Sequence, residues 1–328
     1  MKNIVLIGGG SGTFTLLKGL RQFPSNNSVI LPTWDDGGST GILRKELGVM
    51  PPGDLRQCLV GLSYTTEELA ALFNYRFENG ALKGHSAGNI IIAALEKVTG
   101  NIDDAIAVAC RLLNVRGSVI PATTKATVLS ATLVNGKKVK GEHLIDEPEG
   151  KKIPPIGKIF LSKAPVNQKA VRAIEDADAI IFGPGDLYTS ILPSLLVPEI
   201  GKAMGKTKAK KILITNIMTR FGQTDNFKAS DFLKVMDDYL KKTGGGKIDI
   251  ALVNEKKPGS AMIQKYRSER ASFVEPDRSK LGKIGTRVIF DTLISEEIHK
   301  KAASDVLKRS SLRHDAKKTA SIVWNIIK

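Results

Sequence analysis

The apolar run Asn3-Ile4-Val5-Leu6-Ile7 passes without a break into Gly8-Gly9-Gly10-Ser11-Gly12-Thr13, after which Phe14, Leu16, Leu17 and Leu20 recur at helical spacing. This pattern is a strand, a glycine turn and a helix. A strand that is apolar on both faces and feeds a helix this directly belongs to a βαβ unit, whose parallel sheet is covered by helices on two sides. A second apolar run, residues 29–34, ends in Asp35-Asp36-Gly37-Gly38-Ser39-Thr40-Gly41 and continues the unit.

Downstream, the periodicity is helical over residues 52–100, through Leu55, Leu59 and Leu62, then Leu69, Leu72 and Phe73, then Ile90 to Leu95. These helices are expected to cap one edge of the sheet. Residues 128–134 meet Asn135-Gly136 and resume at Val139, a hairpin signal because both turn residues tolerate positive φ. Parallel-sheet patterning is expected to return with strands at 158–161, 179–182, 212–215 and 248–253 and helices at 167–176 and near 230–240. The predicted fold is α/β: a doubly wound, mainly parallel, Rossmann-like sheet with a helical cap and an inserted antiparallel hairpin. Residues 1–328 are read as one domain, with the helical segment at about 52–112 and the hairpin insertion at about 118–157.

Composition narrows the class of ligand. Lys and Arg number 49 against 33 Asp and Glu, a net charge of +16, which favours anionic partners. Aromatic residues are 5% of the chain and are not interleaved with basic ones, so nucleic acid is an unlikely partner. Runs such as Lys151-Lys152 and residues 208–211 also suit solvated surface. No stretch reaches the roughly 20 apolar residues of a membrane span. Two cysteines, Cys58 and Cys110, suit a reducing compartment, and the N-terminus lacks a cleavage-site pattern; the expected location is the cytoplasm. His143 and His299 have no partner at metal-ligand spacing.

Several stretches can carry chemistry. Residues 8–13 suit phosphate, because glycines let the backbone approach an anion and the following helix aims N–H groups at it; a plain tight turn is the alternative. A side chain placed at Gly12 is then expected to block binding while sparing the fold. Asp35 and Asp36 close the second strand, where an acidic residue meets a ribose hydroxyl or Mg²⁺; an Asx turn into Gly37, Gly38 and Ser39 would use the same residues. In Pro51-Pro52-Gly53-Asp54-Leu55-Arg56, Asp54 is placed to cap a helix and Arg56 to grip phosphate. Gly84-His85-Ser86-Ala87-Gly88-Asn89 brings His85, Ser86 and Asn89 to a helix start, as a second anion site or as a cap. Gly183-Pro184-Gly185-Asp186-Leu187-Tyr188-Thr189-Ser190 follows a strand and supplies exposed backbone and hydroxyls, with Asn216 at the end of a neighbouring strand. Arg313-His314-Asp315 precedes the last helix. No G-x-S-x-G elbow is present.

Taken in series, the stretches at 7–12, 35–41, 51–56, 84–89, 183–190 and 313–315 resemble the gluconeogenesis-factor family (YvcK-type), in the same superfamily as 2-phospho-L-lactate transferase (CofD-like). The resemblance implies a Rossmann-like protein binding a nucleotide-linked phosphate compound, notably UDP-N-acetylglucosamine, as a regulator of cell shape and envelope synthesis. Its ligand residues are expected at Gly8, Gly9, Gly10, Ser11, Gly12, Thr13, Asp35, Asp36, Gly37, Gly38, Ser39, Arg56, His85, Ser86, Asn89, Gly183, Gly185, Asp186, Tyr188, Thr189, Ser190, Asn216, Arg313 and His314. The alternative it implies is a Mg²⁺-dependent transferase moving a phospholactyl-type group, with Asp54, joined by Asp36, holding the metal. The chain departs from the family pattern at residues 10–16, at Thr33-Trp34 and at Asp186, where a small residue is common. No catalytic residue and no obligatory cofactor is assigned, and assembly with a second copy is left open. If Arg56, Arg313 and backbone N–H groups neutralise the diphosphate, chelating Mg²⁺ is expected to cost less than ~10-fold in affinity and Asp54→Asn little.

Overall fold

The computed structural model describes residues 1–150, 152–296 and 311–328; Lys151 and His299 lie outside the described residues. The strands are β1 (Lys2–Ile7), β2 (Ser25–Leu31), β3 (Ser118–Pro121), β4 (Leu129–Leu133), β5 (Lys138–Lys140), β6 (Ile156–Leu161), β7 (Ala179–Phe182), β8 (Lys210–Ile214), β9 (Ile250–Asn254) and β10 (Arg287–Asp291). Among the described residues, seven form a sheet in the order β10-β9-β8-β7-β1-β2-β3, every neighbouring pair parallel. Its helices are α1 (Gly10–Leu20), α2 (Gly38–Leu47), α3 (Pro52–Leu62), α4 (Glu67–Asn74), α5 (Ala87–Thr99), α6 (Ile102–Leu112), α7 (Glu142–Asp146), α8 (Gln168–Glu175), α9 (Leu192–Leu195), α10 (Pro198–Lys206), α11 (Ala229–Thr243), α12 (Ser260–Ser268), α13 (Arg278–Leu281) and α14 (Ala316–Ile327).

The apolar run of β1 explains the two layers of helices. Ile4 and Leu6 join Leu16, Leu17 and Leu20 of α1, Leu55 and Leu59 of α3 and Val323 of α14 in one core. Val5 and Ile7 point the other way, into a core with Ile174 of α8, Ile200 of α10 and Leu233 and Met236 of α11. Both sets are essentially inaccessible, which is what a period-two strand covered on both faces requires.

Two expectations are corrected. Residues 158–161 were expected in the parallel sheet, but β6 pairs antiparallel with β4 in a separate sheet of order β5-β4-β6. That sheet is buried on one face only: Ile159 is inside while its neighbours Lys158 and Phe160 are exposed, and a register shift against β4 between Thr132 and Leu133 brings Ile156 to the inner face as well, so the short apolar run concealed an alternation. The insertion was expected to begin near 118, yet Ser118–Pro121 is β3, paired with β2 at the edge of the main sheet. Gly117 lets this strand approach, since a Cβ there would stand 2.4 Å from the Asn27 carbonyl oxygen. The edge strand β10 carries no sequence signal beyond Val288-Ile289-Phe290 and was not anticipated. The hairpin β4–β5 turns at Asn135-Gly136 as expected, but only Gly136 takes a positive φ, 85°, and Leu133 N–H donates to the Lys137 carbonyl across the turn.

The order of strands locates the ligand crevice. From β1 the chain moves outward through β2 to β3, then returns to the other side of β1 with β7 and moves outward through β8, β9 and β10. The order reverses between β1 and β7, and crevices open at the carboxyl ends of the strands at such a point. The loops leaving these two strands are residues 8–13 and 183–190.

Candidate functional site

The two loops touch. Gly183 N–H donates to the Ile7 carbonyl at 3.1 Å, and the Thr13 hydroxyl donates to the Pro184 carbonyl at 3.5 Å. A Cβ on Gly12 would stand 2.4 Å from that same Pro184 oxygen. Gly12 is therefore needed for α1 to approach the β7 loop, and the expectation that a side chain there spares the fold is corrected.

At the start of α1, Gly10 N–H donates to Asp54 Oδ1 at 2.8 Å. A Cβ on Gly9 would fall 1.9 Å from Asp54 Oδ2, so the glycines make room for a carboxylate. Asp54 comes from the first turn of α3 and does not cap that helix. The positive end of α1 thus holds an anion supplied by the protein itself.

Around Asp54 gather other acids. Asp35 Oδ1 accepts Gly37 N–H at 3.0 Å, an Asx turn, and its pKa is pushed up to about 7 by burial and then by Asp54, against the opposing bonds from Gly37 and Thr40. Glu142, delivered by α7 of the insertion, is raised by burial and then by Asp35, Asp146, Asp54 and Asp36. Asp186, in the β7 loop, is pushed up to about 6 by burial and then by Asp146, with Arg220 opposing. Asp146 is engaged by Arg220, whose Nε donates to Oδ1 at 3.1 Å, and by Gln223 Nε2 at 2.8 Å. Burial works against the charge of Arg220, yet Asp146 and Asp186 hold it firmly protonated.

The cleft is lined by Gly9, Gly10, Ser11, Gly12, Asp35, Gly37, Asp54, Gly185, Asp186, Thr189, Ser190, Asn216, Arg313 and His314 of the expected residues. Asn216 Nδ2 donates to the Gly185 carbonyl at 3.1 Å. His314 Nε2 donates to the Thr215 carbonyl at 3.1 Å, and burial, partly offset by that bond, lowers its pKa to about 4. The lining also includes Glu142, His143, Asp146, Arg220, Tyr266 and Glu269, which sequence reasoning missed. Position just past the carboxyl end of β8 was the one usable signal, and it points to Arg220. For Glu142 and Asp146 the i, i+4 spacing places both on one helix face, but nothing in the sequence aims that face at the cleft.

Other expected residues are elsewhere. Asp36 turns from the cleft and accepts His143 N–H at 2.8 Å, pinning the insertion to the Asp-Asp-Gly-Gly loop. Tyr188 is buried in the core beside Leu187 and Ile191, its pKa raised by burial and then by Tyr239. Gly8, Thr13, Gly38 and Gly183 support the turns without lining the cleft. Ser39, Arg56, His85, Ser86 and Asn89 form a separate network under the helical cap. Arg56 is buried, donating through Nε to Asn89 Oδ1 at 3.0 Å and through Nη1 to the Phe73 carbonyl at 3.4 Å and to Asn74. Asn89 Nδ2 donates to Ser39 Oγ at 3.4 Å, which also meets His85 Nδ1 at 3.0 Å. Ser86 caps α5 by accepting Asn89 N–H at 3.3 Å.

The positive excess of the whole chain does not reach the cleft, where six carboxyl side chains face two arginines. Among the described residues, no three His, Cys, Asp or Glu side chains are gathered to hold a metal ion by themselves. Among the described residues, too, no helix is long and apolar enough to cross a membrane.

The family profile described as 2-phospho-L-lactate transferase CofD matches residues 4–294. A gluconeogenesis factor of Halalkalibacterium halodurans is 41% identical over 327 residues, covering 98% of this chain and 95% of that protein. The gluconeogenesis factor of Bacillus subtilis is 39% identical over 328 residues, 99% of this chain and 98% of that one. The crystal structure of a UPF0052-family protein from Bacillus halodurans matches with a TM-score of 0.89 at 39% identity, over 99% of this chain and 100% of the other. With the profile, the full-length relatives and the sheet all in agreement, the chain belongs to the gluconeogenesis-factor family and carries its CofD-like, Rossmann-like fold.

Proposed function

We propose that this protein binds a nucleotide sugar, UDP-N-acetylglucosamine in particular, in the switch-point cleft, and acts in the cytoplasm as a regulator of envelope synthesis and cell shape. The observation that carries the reading is the convergence of both glycine loops on one crevice at the carboxyl edge of the sheet, the place where doubly wound folds take nucleotides. The choice of uridine and of the amino sugar comes from the family resemblance.

The acid-rich lining bears on how a diphosphate is held. Mg²⁺ is usually bound by one or two carboxylates together with substrate phosphates, so a ready-made cage is not required. Asp54 and Asp35 fit that need: burial and then the neighbouring Asp54 raise the proton affinity of Asp35, and both side chains line the cleft. A cation there would neutralise the diphosphate against the carboxylates. With Arg56 occupied under the cap, the expected cost of chelation rises to more than ~10-fold in affinity, over ~1.4 kcal/mol, and Asp54→Asn is expected to match it. Calorimetry with UDP-N-acetylglucosamine, UDP and GDP, each with Mg²⁺ or EDTA, tests this. Equal affinity for all three would remove the sugar and base from the reading.

One observation favours a second reading, transfer of a phosphorus-containing group, as the description of the matching family profile, 2-phospho-L-lactate transferase CofD, suggests. Asp35 and Glu142 have raised pKa values in a cleft, the condition of carboxylates that serve as general bases. Incubation of the protein with UDP-N-acetylglucosamine, Mg²⁺ and an excess of a simple alcohol as acceptor, followed by ³¹P NMR, separates the two: an unchanged spectrum with tight binding favours the regulator, and a new phosphodiester signal with release of UMP, from attack of the alcohol on the sugar-bearing phosphorus, favours the transferase.

A further inference from the structure

The insertion carries a second surface, away from the cleft. In its three-stranded sheet, β4 sends Leu129, Ala131 and Leu133 into the core together with Ile159 of β6, so the alternate residues stand on the opposite, outer face. The register then puts Lys140 and Phe160 on either side of Ser130, and Lys138 and Lys158 on either side of Thr132. These are two rows across three strands, and neither contains an acid. All three lysines and Phe160 are exposed, Phe160 at 44% and, further along the same face of β4, Val134 at 64%. The Lys158 ammonium lies 4.9 Å from the centroid of the Phe160 ring, which holds charge and apolar surface side by side.

Lysines on an edge strand serve to block pairing with other chains, and that accounts for Lys138 and Lys140 of β5. It does not account for β6, whose Ile159 N–H is already met by the Tyr239 hydroxyl of α11 at 3.3 Å, or for a phenylalanine and a valine left in water beside the lysines. The side chains present narrow the partner. Their charge calls for an anionic surface. Lysine is a point charge on a flexible stem and suits a field of anions, whereas reading single phosphates or carboxylates favours the arginine fork; no arginine stands in either row. One aromatic ring leaves no platform for a following base, as single-stranded nucleic acid requires. Apolar side chains that enter the boundary between headgroups and acyl chains, with lysines against the headgroups, are the means by which proteins lie on anionic bilayers.

We propose that the outer face of the β5-β4-β6 sheet docks on an anionic lipid membrane, with Lys138, Lys140 and Lys158 against the headgroups and Phe160 and Val134 entering between them. The inference goes beyond the nucleotide-sugar reading and does not depend on it. Three lysines and two apolar side chains give a reversible contact, not an anchor. Because the inner face of the sheet packs against the core, such docking sets the insertion between the bilayer and the rest of the chain.

The test is co-sedimentation of the full chain with vesicles of phosphatidylcholine alone and of phosphatidylcholine and phosphatidylglycerol in equal parts. A net charge of +16 draws the whole chain to anionic surfaces, so the triple variant Lys138→Gln, Lys140→Gln, Lys158→Gln is compared with Lys45→Gln, Lys83→Gln, Lys97→Gln, which removes the same charge from exposed lysines of the helical cap. The wild type is expected to bind the mixed vesicles and not phosphatidylcholine alone. On the mixed vesicles the sheet triple is expected to bind at least ~10-fold more weakly, Phe160→Ser about fivefold more weakly, and the cap triple within about twofold of the wild type. Loss in the sheet triple and in Phe160→Ser with retention in the cap triple supports the docking face. If the sheet triple melts early, Phe160→Ser against the cap triple decides in the same way. Equal loss in the two triples, wild-type affinity in Phe160→Ser, or no binding of the wild type to mixed vesicles overturns the proposal. Binding of the wild type to polyglutamate through the same lysines, without binding to vesicles, would assign the face to an acidic protein and overturn it as well.

Discussion

The cleft at the switch point and the network under the helical cap are built from the same kinds of residue and reach opposite states. Under the cap, Arg56 meets Asn89, Asn74 and the Phe73 carbonyl, Asn89 donates in turn to Ser39 and Ser86, and Ser39 meets His85. In the cleft, burial and then neighbouring acids push the pKa of Asp35 up to about 7 and that of Asp186 up to about 6, and the Thr189 hydroxyl has no partner. A polar group satisfied within the chain stabilises the fold, whereas one left unsatisfied stores free energy that a ligand releases. Motif residues alone do not tell these states apart, since both regions carry glycines, a helix start and a candidate anion-binding side chain.

The strongest way to break this contrast is Arg56→Ala. Three acceptors under the cap would lose a charged donor, and stability to urea is expected to fall by about 3 kcal/mol, while the folded fraction keeps its affinity for UDP-N-acetylglucosamine. Intact stability with abolished binding would return Arg56 to the ligand site.

Asp35→Asn is expected to do the reverse. A carboxyl whose folded pKa lies above its unfolded value contributes stability that is fully present below pH ~3.8 and lost as pH rises through about 7. Removing it should therefore leave stability unchanged near pH 4 and raise it by about 1–2 kcal/mol at pH 8, with ligand affinity reduced. His314 works in the opposite sense: its lowered pKa costs stability as pH falls from 6.5 towards about 4. The difference between variant and wild type at each pH, from urea unfolding, isolates Asp35 from that background. A variant that is less stable at pH 8 would show that the Asx turn outweighs the crowding.

The smallest effect sharpens the cap side. Ser86→Ala removes the N-cap of α5 and is expected to cost about 1 kcal/mol with no change in affinity by calorimetry; a loss of affinity would tie the start of α5 to the ligand after all.

The legible parts of the site were those in which one stretch of chain specifies its own geometry. Residues 8–13 follow a strand and begin a helix, and residues 183–190 do the same up to the π-helical turn Leu187–Ile191, so both were placed at the carboxyl edge of a sheet from periodicity alone. Asp35 was legible as an Asx turn, but its second role required knowing that Asp54, from another helix, stands beside it. Arg56 and Thr189 show the limit. Each has the chemistry for a phosphate, and only packing turns Arg56 inward under the cap and sets Thr189 in the wall of the cleft. Glu142 and Arg220 had no motif at all, because an insertion and a strand end bring them together across the crevice.

Local sequence by itself determined the two-faced strand β1, the glycine turn after it, the Asn-Gly hairpin and the doubly wound class, because backbone φ preferences and hydrophobic periodicity act over a few residues. The tertiary structure decided the strand order, hence the switch point, and the one-sided burial of β6. It also decided which carboxyl groups share a cleft. Those outcomes depend on contacts between residues tens to hundreds of positions apart, such as Gly12 against Pro184 and Asp146 against Arg220, and the energy of desolvating a charge is set by whatever the rest of the fold packs around it.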